Sequence, residues 1–98
     1  MKSYMANKHY FYVLLCQDQT FYGGYTTDLN RRLQEHNQGT GAKYTRLQKR
    51  RPVKMIHAEE FATRSEATKA EAAFKKQTRR QKERYLKTHE TITLPKKE

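Results

Sequence analysis

Cysteine is nearly missing from this sequence: Cys16 stands alone among 98 residues, so no internal disulfide can form. With that one thiol and four scattered histidines (His9, His36, His57 and His89), the chain also lacks the ligand spacing of a structural zinc site. A reduced, cytoplasmic compartment is therefore expected. Long hydrophobic runs are missing as well. The longest, Tyr10–Cys16, has seven residues, against the roughly twenty that a membrane-spanning helix needs. The segment Met1–Lys8 leads into it without the small-residue cleavage site of a secretory signal. Apolar residues make up only 35% of the chain, and a domain of this size hides only about two-thirds of the surface its unfolded form exposes. Acids are scarce: ten stand against 21 Lys and Arg, for a formal charge of +11. Such a chain repels itself on compaction and draws polyanions. Several catalytic signatures are absent too. Gly39-Thr40-Gly41-Ala42-Lys43 lacks the spacing of a P-loop and the Ser or Thr after its lysine, and no Gly-x-Ser-x-Gly or His-Glu-x-x-His occurs.

What is present is aromatic and basic. Seven Tyr and four Phe are too many for a disordered basic tail, and the 98 residues read as one α/β unit with its core over about 9–87. Tyr10–Cys16 is aromatic and branched without helical spacing, which predicts a strand. Gln17-Asp18-Gln19 is a polar turn, and Thr20–Thr26 returns as the second strand of a hairpin. Gly23 and Gly24 inside that strand point to a bulge or to a close approach by another group. Thr26-Thr27-Asp28 starts a helix that carries Leu29 and Leu33 inward and ends near Asn37, ahead of Gly39 and Gly41. Lys43 to Lys54 reads as a loop with at most one helical turn, and Val53–Phe61 as a third strand with imperfect alternation. Ser65 is expected to cap a helix whose inward positions are Ala67, Ala70, Phe74 and Thr78. A basic helix follows from about Arg79 to Lys87, and Thr91–Glu98 reads as a frayed tail.

The cations are clustered. Lys43, Arg46, Lys49, Arg50, Arg51 and Lys54 form one group, and Lys75, Lys76, Arg79, Arg80, Lys82, Arg84 and Lys87 another; together they hold thirteen of the 21. Clustered Lys and Arg beside tyrosines suit a phosphate backbone, by replacing condensed counterions and offering rings for stacking. Lys43, Arg46, Lys75, Arg79, Arg80 and Lys82 are the candidate nucleic-acid contacts, the plainer alternative being a solvated basic face. Glu71 lies on the inward stripe beside Ala67 and Ala70, where a carboxylate needs a cation, several hydrogen bonds or a metal; pairing with a nearby Arg would serve equally. Arg32 and His36, four apart, share a helix face and can reach toward the sheet while staying in contact with water; they could equally be surface polar residues. A three-residue hairpin turn sets Leu14 opposite Tyr22 and puts Tyr12 and Tyr22 on one face, whereas a two-residue turn would put them on opposite faces.

In order, these residues resemble the GIY-YIG nuclease superfamily over roughly residues 9–87. Tyr10-Phe11-Tyr12 is similar to its first motif and Tyr22-Gly23-Gly24 to its second, with nine residues between Tyr12 and Tyr22. Arg32, ten residues past Tyr22, falls on the family's helix arginine, His36 on its frequent helix histidine, and Glu71 on its metal-binding glutamate. Tyr10 and Phe11 stand where Gly-Ile is usual, and Gly23 where Ile is. The stretch Thr26–Asn37 followed by Gly39–Arg46 looks most like the small stand-alone bacterial members, grouped as an uncharacterised protein family. The resemblance implies a three-stranded antiparallel sheet flanked by helices and one divalent ion, Mg²⁺ or Mn²⁺, held by Glu71. It implies hydrolysis of DNA phosphodiesters selected by structure rather than sequence, in repair or recombination. Tyr12, Tyr22, Arg32, His36 and Glu71 would be the catalytic set, gathered on one concave, solvent-reachable site on the sheet. Two other readings remain at this point: a noncatalytic nucleic-acid-binding module of the same fold, and an adaptor for an acidic protein.

Overall fold

The computed structural model describes residues 8–95. Three strands, β1 (His9–Leu15), β2 (Phe21–Thr26) and β3 (Lys54–Phe61), form an antiparallel sheet in the order β2-β1-β3. Helix α1 (Leu29–Gln38) follows β2, and α3 (Arg64–Lys75) and α4 (Arg79–Thr88) follow β3. The most apolar strand takes the centre, where both faces are covered: Phe11, Tyr12, Val13 and Leu14 are fully buried. Alternate residues of β1 serve two separate cores. Tyr12 and Leu14 pack with Cys16, Leu29, Val53, Met55 and Ala58 on one face. Phe11 and Val13 pack with Phe74, Ala70, Tyr85 and Leu86 on the other, beneath α3 and α4.

Hairpin register is set by turn length. Leu14 pairs with Tyr22 and Tyr12 with Gly24, so Tyr12 and Tyr22 share a face as the three-residue turn requires. Gln19 closes that turn at φ 71. Each glycine of β2 accommodates a ring. A Cβ on Gly23 would lie 3.2 Å from the Phe74 ring, and one on Gly24 would collide with the Tyr12 ring. Of the two readings for these glycines, close approach is the correct one: Gly23 lets α3 settle onto one face while Gly24 lets Tyr12 lie across the other. The broken alternation of β3 also has a cause. Val13 pairs with His57 but Leu14 pairs with Met55, so Ile56 is an extra residue in the strand.

Several expectations need correction. The cap of α3 is Thr63, which accepts from the Glu66 amide, and not Ser65, which lies inside the helix. Helix α3 stops at Lys75, so Thr78 does not extend its stripe; Thr78 instead caps α4 in a reciprocal box with Gln81. The basic 43–54 segment contains a short helix α2 (Lys43–Arg46) and a 3₁₀ turn (Gln48–Arg50) rather than one turn at most. The tail is anchored as far as it is described: the Ile92 amide donates to the Ala58 carbonyl at 3.0 Å, the Thr91 hydroxyl accepts from the Ala58 amide at 2.9 Å, and Ile92 and Leu94 pack on the core. Residues 96–98 of the expected tail lie outside the described residues.

Candidate functional site

The first turn of α1 is fixed by Asp28, whose carboxylate accepts from the Arg31 amide, and its end by Gly39 at φ 82. Between these caps, Leu29 and Leu33 face the Tyr12 core. That orientation turns Arg32 and His36 toward the hydroxyl of Tyr12. Arg32 Nε donates to it at 3.3 Å, and His36 Nε2 lies 2.7 Å away. On its other side, His36 Nδ1 is 2.7 Å from the Thr45 hydroxyl, which lies 3.2 Å from the Ala42 carbonyl.

These contacts fix the proton arrangement. Ala42 can only accept, so Thr45 donates to it and accepts from His36 Nδ1–H. Nε2 is then bare and accepts the Tyr12 proton, while the Tyr12 oxygen accepts from Arg32. The chain runs Arg32 to Tyr12 to His36 to Thr45 to Ala42, each group donating to the next. His36 and Thr45 are fully buried, which corrects the expectation that His36 stays in contact with water. The corner is tight: a Cβ on Gly41 would sit 2.8 Å from His36 Nδ1. Burial, reinforced by the Arg32 charge, pulls the His36 pKa down to about 4. Burial likewise raises Tyr12 above the ordinary phenol range, outweighing the opposing hydrogen bond and charge of Arg32; the carboxylate of Glu71 raises it further. Both groups are neutral at neutral pH.

The low His36 value bears on stability. A base whose folded pKa of about 4 lies below its usual 6.5 takes up protons more readily when unfolded. Its contribution is therefore complete above pH 6.5 and lost as the pH falls toward 4. The loss amounts to ~3 kcal/mol at about 1.4 kcal/mol per pKa unit. Denaturant melts at pH 7, 5.5 and 4 should follow this fall, and His36→Gln should flatten it.

Tyr22 is half-buried. Its ring meets the His36 ring edgewise at 5.5 Å and stacks on Tyr44 at 5.4 Å and 24°. Glu71 arrives from the other layer, because α3 packs on the Phe11/Val13 face. Tyr12, Tyr22, Arg32 and His36 therefore belong to one side of the sheet and Glu71 to the helix on the other. The candidate residues can meet only around the edge strand β2 and not on one side of the sheet, as a single concave site there would require. Lys75 marks the join: its ammonium is 2.9 Å from Glu71 Oε2 and 5.3 Å from the centre of the Tyr22 ring. The counterion of Glu71 is thus a lysine four residues on, not an arginine.

Whether these groups suit a divalent ion is a matter of donors. Among the described residues no group of three or more His, Cys, Asp and Glu comes together, so an ion at Glu71 would take few ligands from the protein. That suits Mg²⁺, which keeps most of its water and takes few carboxylates. Glu71 already holds a cation in the exposed ammonium of Lys75, a contact that a divalent ion can displace.

The candidate nucleic-acid contacts fall into separate groups. Lys43 and Arg46 are exposed on α2. Lys82 and Arg79 line a cavity of about 230 Å³ with Thr20, Phe21 and Tyr44. Arg80 lines a shallow groove of about 520 Å³ with Arg84, Lys87, Phe21 and Leu86 along α4. Arg79 is the least free, since its guanidinium donates to the Gln19 carbonyl at 2.7 Å, pairs with Glu83 at 3.0 Å and covers the Phe21 ring at 3.9 Å. The sequence reading missed Tyr44 and Thr45, which contact Tyr22 and His36; only their place in the basic segment signalled them.

Comparison with known proteins agrees with this architecture. The model of the GIY-YIG catalytic domain matches residues 8–86. A UPF0213 protein of Enterococcus faecalis is 79% identical over 86 residues, covering 86% of this chain and 98% of that one. One from Listeria welshimeri is 64% identical over 81 residues, covering 83% and 88%. A solution NMR structure of a protein from E. faecalis shares 73% identity at a TM-score of 0.58, covering 88% of this chain and 94% of its own. That of a UPF0213 protein from Bacillus halodurans shares 39% at 0.54, covering 82% and 83%. By a match that runs from the first strand almost to the end of the last helix, the chain belongs to the GIY-YIG family.

Proposed function

We propose that the protein is a divalent-metal-dependent endonuclease that hydrolyses DNA phosphodiester bonds at the edge of β2, selecting DNA by structure rather than sequence. The observation that carries the reading is the meeting, around that edge, of the hydrogen-bonded Arg32–Tyr12–His36 chain with the Glu71–Lys75 pair beside Tyr22. In the reaction a water oxygen bonds to phosphorus, the ester P–O bond breaks, and the proton of the water passes to the departing oxygen or to solvent. Glu71 holds the ion, which when bound supplies Lewis-acid stabilisation of the charge on the phosphate. Arg32 neutralises charge developing on the phosphate oxygens. Its Nε is committed to Tyr12 and its Nη1 to Glu35 at 2.9 Å, which fixes the plane of the guanidinium. Tyr22 orients the attacking water. Tyr12, neutral and donating to His36, is a positioning group, and His36 is an acceptor for the Tyr12 proton rather than a base for water.

The test is incubation of the purified protein with branched, nicked, single-stranded and linear DNA, with Mg²⁺, with Mn²⁺ or with chelator. Metal-dependent cutting that favours one DNA structure is expected. Binding without cutting in every lane would leave a noncatalytic nucleic-acid module instead.

Binding should weaken with salt, and the arginines of α4 should not act alike. Arg80 is exposed and lines the groove, so Arg80→Gln should lower the slope of log K against log salt by about one unit with little change in stability. An unchanged slope would make the α4 groove a solvated face.

A further inference from the structure

A column of side chains begins in the β1–β2 turn and ends on Tyr22, and the roles above leave it unused. Asp18 in the turn accepts from the Thr20 hydroxyl at 2.6 Å and from the Thr20 amide at 3.3 Å. Its other oxygen accepts from Arg50 Nε at 3.1 Å. The Thr20 hydroxyl, followed by Arg50, holds the Asp18 carboxyl below its usual pKa. Arg50 is pinned again by its own carbonyl, which accepts from the Gln17 amide at 2.9 Å. Its guanidinium lies 3.8 Å over the centre of the Tyr44 ring, and its Nη1 donates to the Tyr44 carbonyl at 3.1 Å. The Tyr44 ring stacks on Tyr22, and the next residue, Thr45, accepts from His36. A helix of only four residues, α2, cannot hold its own shape. Tyr44 is therefore held from outside its own helix: by Arg50, which Asp18 anchors, by its packing on the Tyr12 core, and by Thr45 on His36.

We propose that Tyr44 is a positioning residue for Tyr22: braced by Arg50 and Asp18, it holds the Tyr22 ring in the orientation that the reaction needs. The proposal rests on the active-site role given to Tyr22 above. It differs from a purely structural part because its effect must pass through Tyr22.

Tyr44→Ala, Tyr44→Phe, Asp18→Asn and Tyr22→Phe, with the Tyr44→Ala/Tyr22→Phe double variant, form the test. Tyr44→Ala should lower kcat by about tenfold or more with KM changed less than about twofold. Tyr44→Phe, which keeps the stacking ring, should restore kcat. In the Tyr22→Phe background, Tyr44→Ala should cost nothing further. Fully additive losses, or a rise in KM at constant kcat, would overturn the proposal. Asp18→Asn weakens the brace from a surface turn and should act in the same direction should Tyr44→Ala fail to fold. NMR of the ring-labelled Tyr22 in substrate-free protein separates this proposal from the nuclease reading. Slow ring flipping in the parent and fast flipping in Tyr44→Ala or Asp18→Asn supports the brace even where no DNA is cut. Equal flipping in parent and variants overturns it even where DNA is cut.

Discussion

Glu71→Gln should abolish metal-dependent cleavage, by at least about a hundredfold, in a protein that stays folded and still binds DNA. The substitution keeps the size and polarity of the side chain and removes only the charge that would hold the ion. Its effect on stability should be small, because the partner it releases is the half-exposed ammonium of Lys75, in an i,i+4 pair. Such pairs contribute about 0.3–0.5 kcal/mol. Had Glu71 paired with a buried guanidinium, the same change would have stranded a charge at a cost of about 3–5 kcal/mol. A thermal melt and a cleavage assay on one preparation check both halves. A folded Glu71→Gln protein that cuts like the parent would remove Glu71 from the chemistry.

Tyr12→Phe, the removal of a single oxygen, should be strongly damaging. The ring would still fill its place against Gly24, but His36 Nε2 would lose its donor at 2.7 Å and Arg32 Nε its acceptor at 3.3 Å. His36 is fully buried and cannot turn to water. Leaving one buried acceptor bare costs about 1–3 kcal/mol, a large part of the stability of a domain this small. Cleavage should fall as well, because Arg32 loses one of the two contacts that set its plane. Denaturant titration gives the first effect and kcat at saturating DNA the second. A Tyr12→Phe protein as stable and active as the parent would show the hydroxyl chain to be ornamental.

These two residues also mark how far the sequence can be read. The hairpin register follows from the polar turn Gln17–Gln19 and the period of two, so the shared face of Tyr12 and Tyr22 is legible in the residues alone. The i,i+4 spacing of Arg32 and His36 gives their common face in the same way. It cannot give depth: His36 is sealed because Gly41, just past the helix, and Thr45, from the segment that reads as a basic loop, close over it. The bulge at Ile56 is visible only as broken alternation, since pairing across β1 decides which residue is extra. The position of Glu71 is half legible. Helical spacing sets it beside the inward stripe of α3, but its approach to the tyrosines around an edge strand depends on Gly23 admitting Phe74. Long-range contacts of this kind leave no local period in the sequence.

The central claim is that one ion is held by Glu71 within reach of Tyr12, Tyr22 and Arg32. Paramagnetic broadening by substoichiometric Mn²⁺ tests it without requiring any DNA to be cut. The account predicts that amide signals of α3 around Glu71, of β2 around Tyr22 and of α1 around Arg32 broaden first in the parent, and that the pattern disappears in Glu71→Gln. Broadening that centres elsewhere, or that survives Glu71→Gln unchanged, would contradict it.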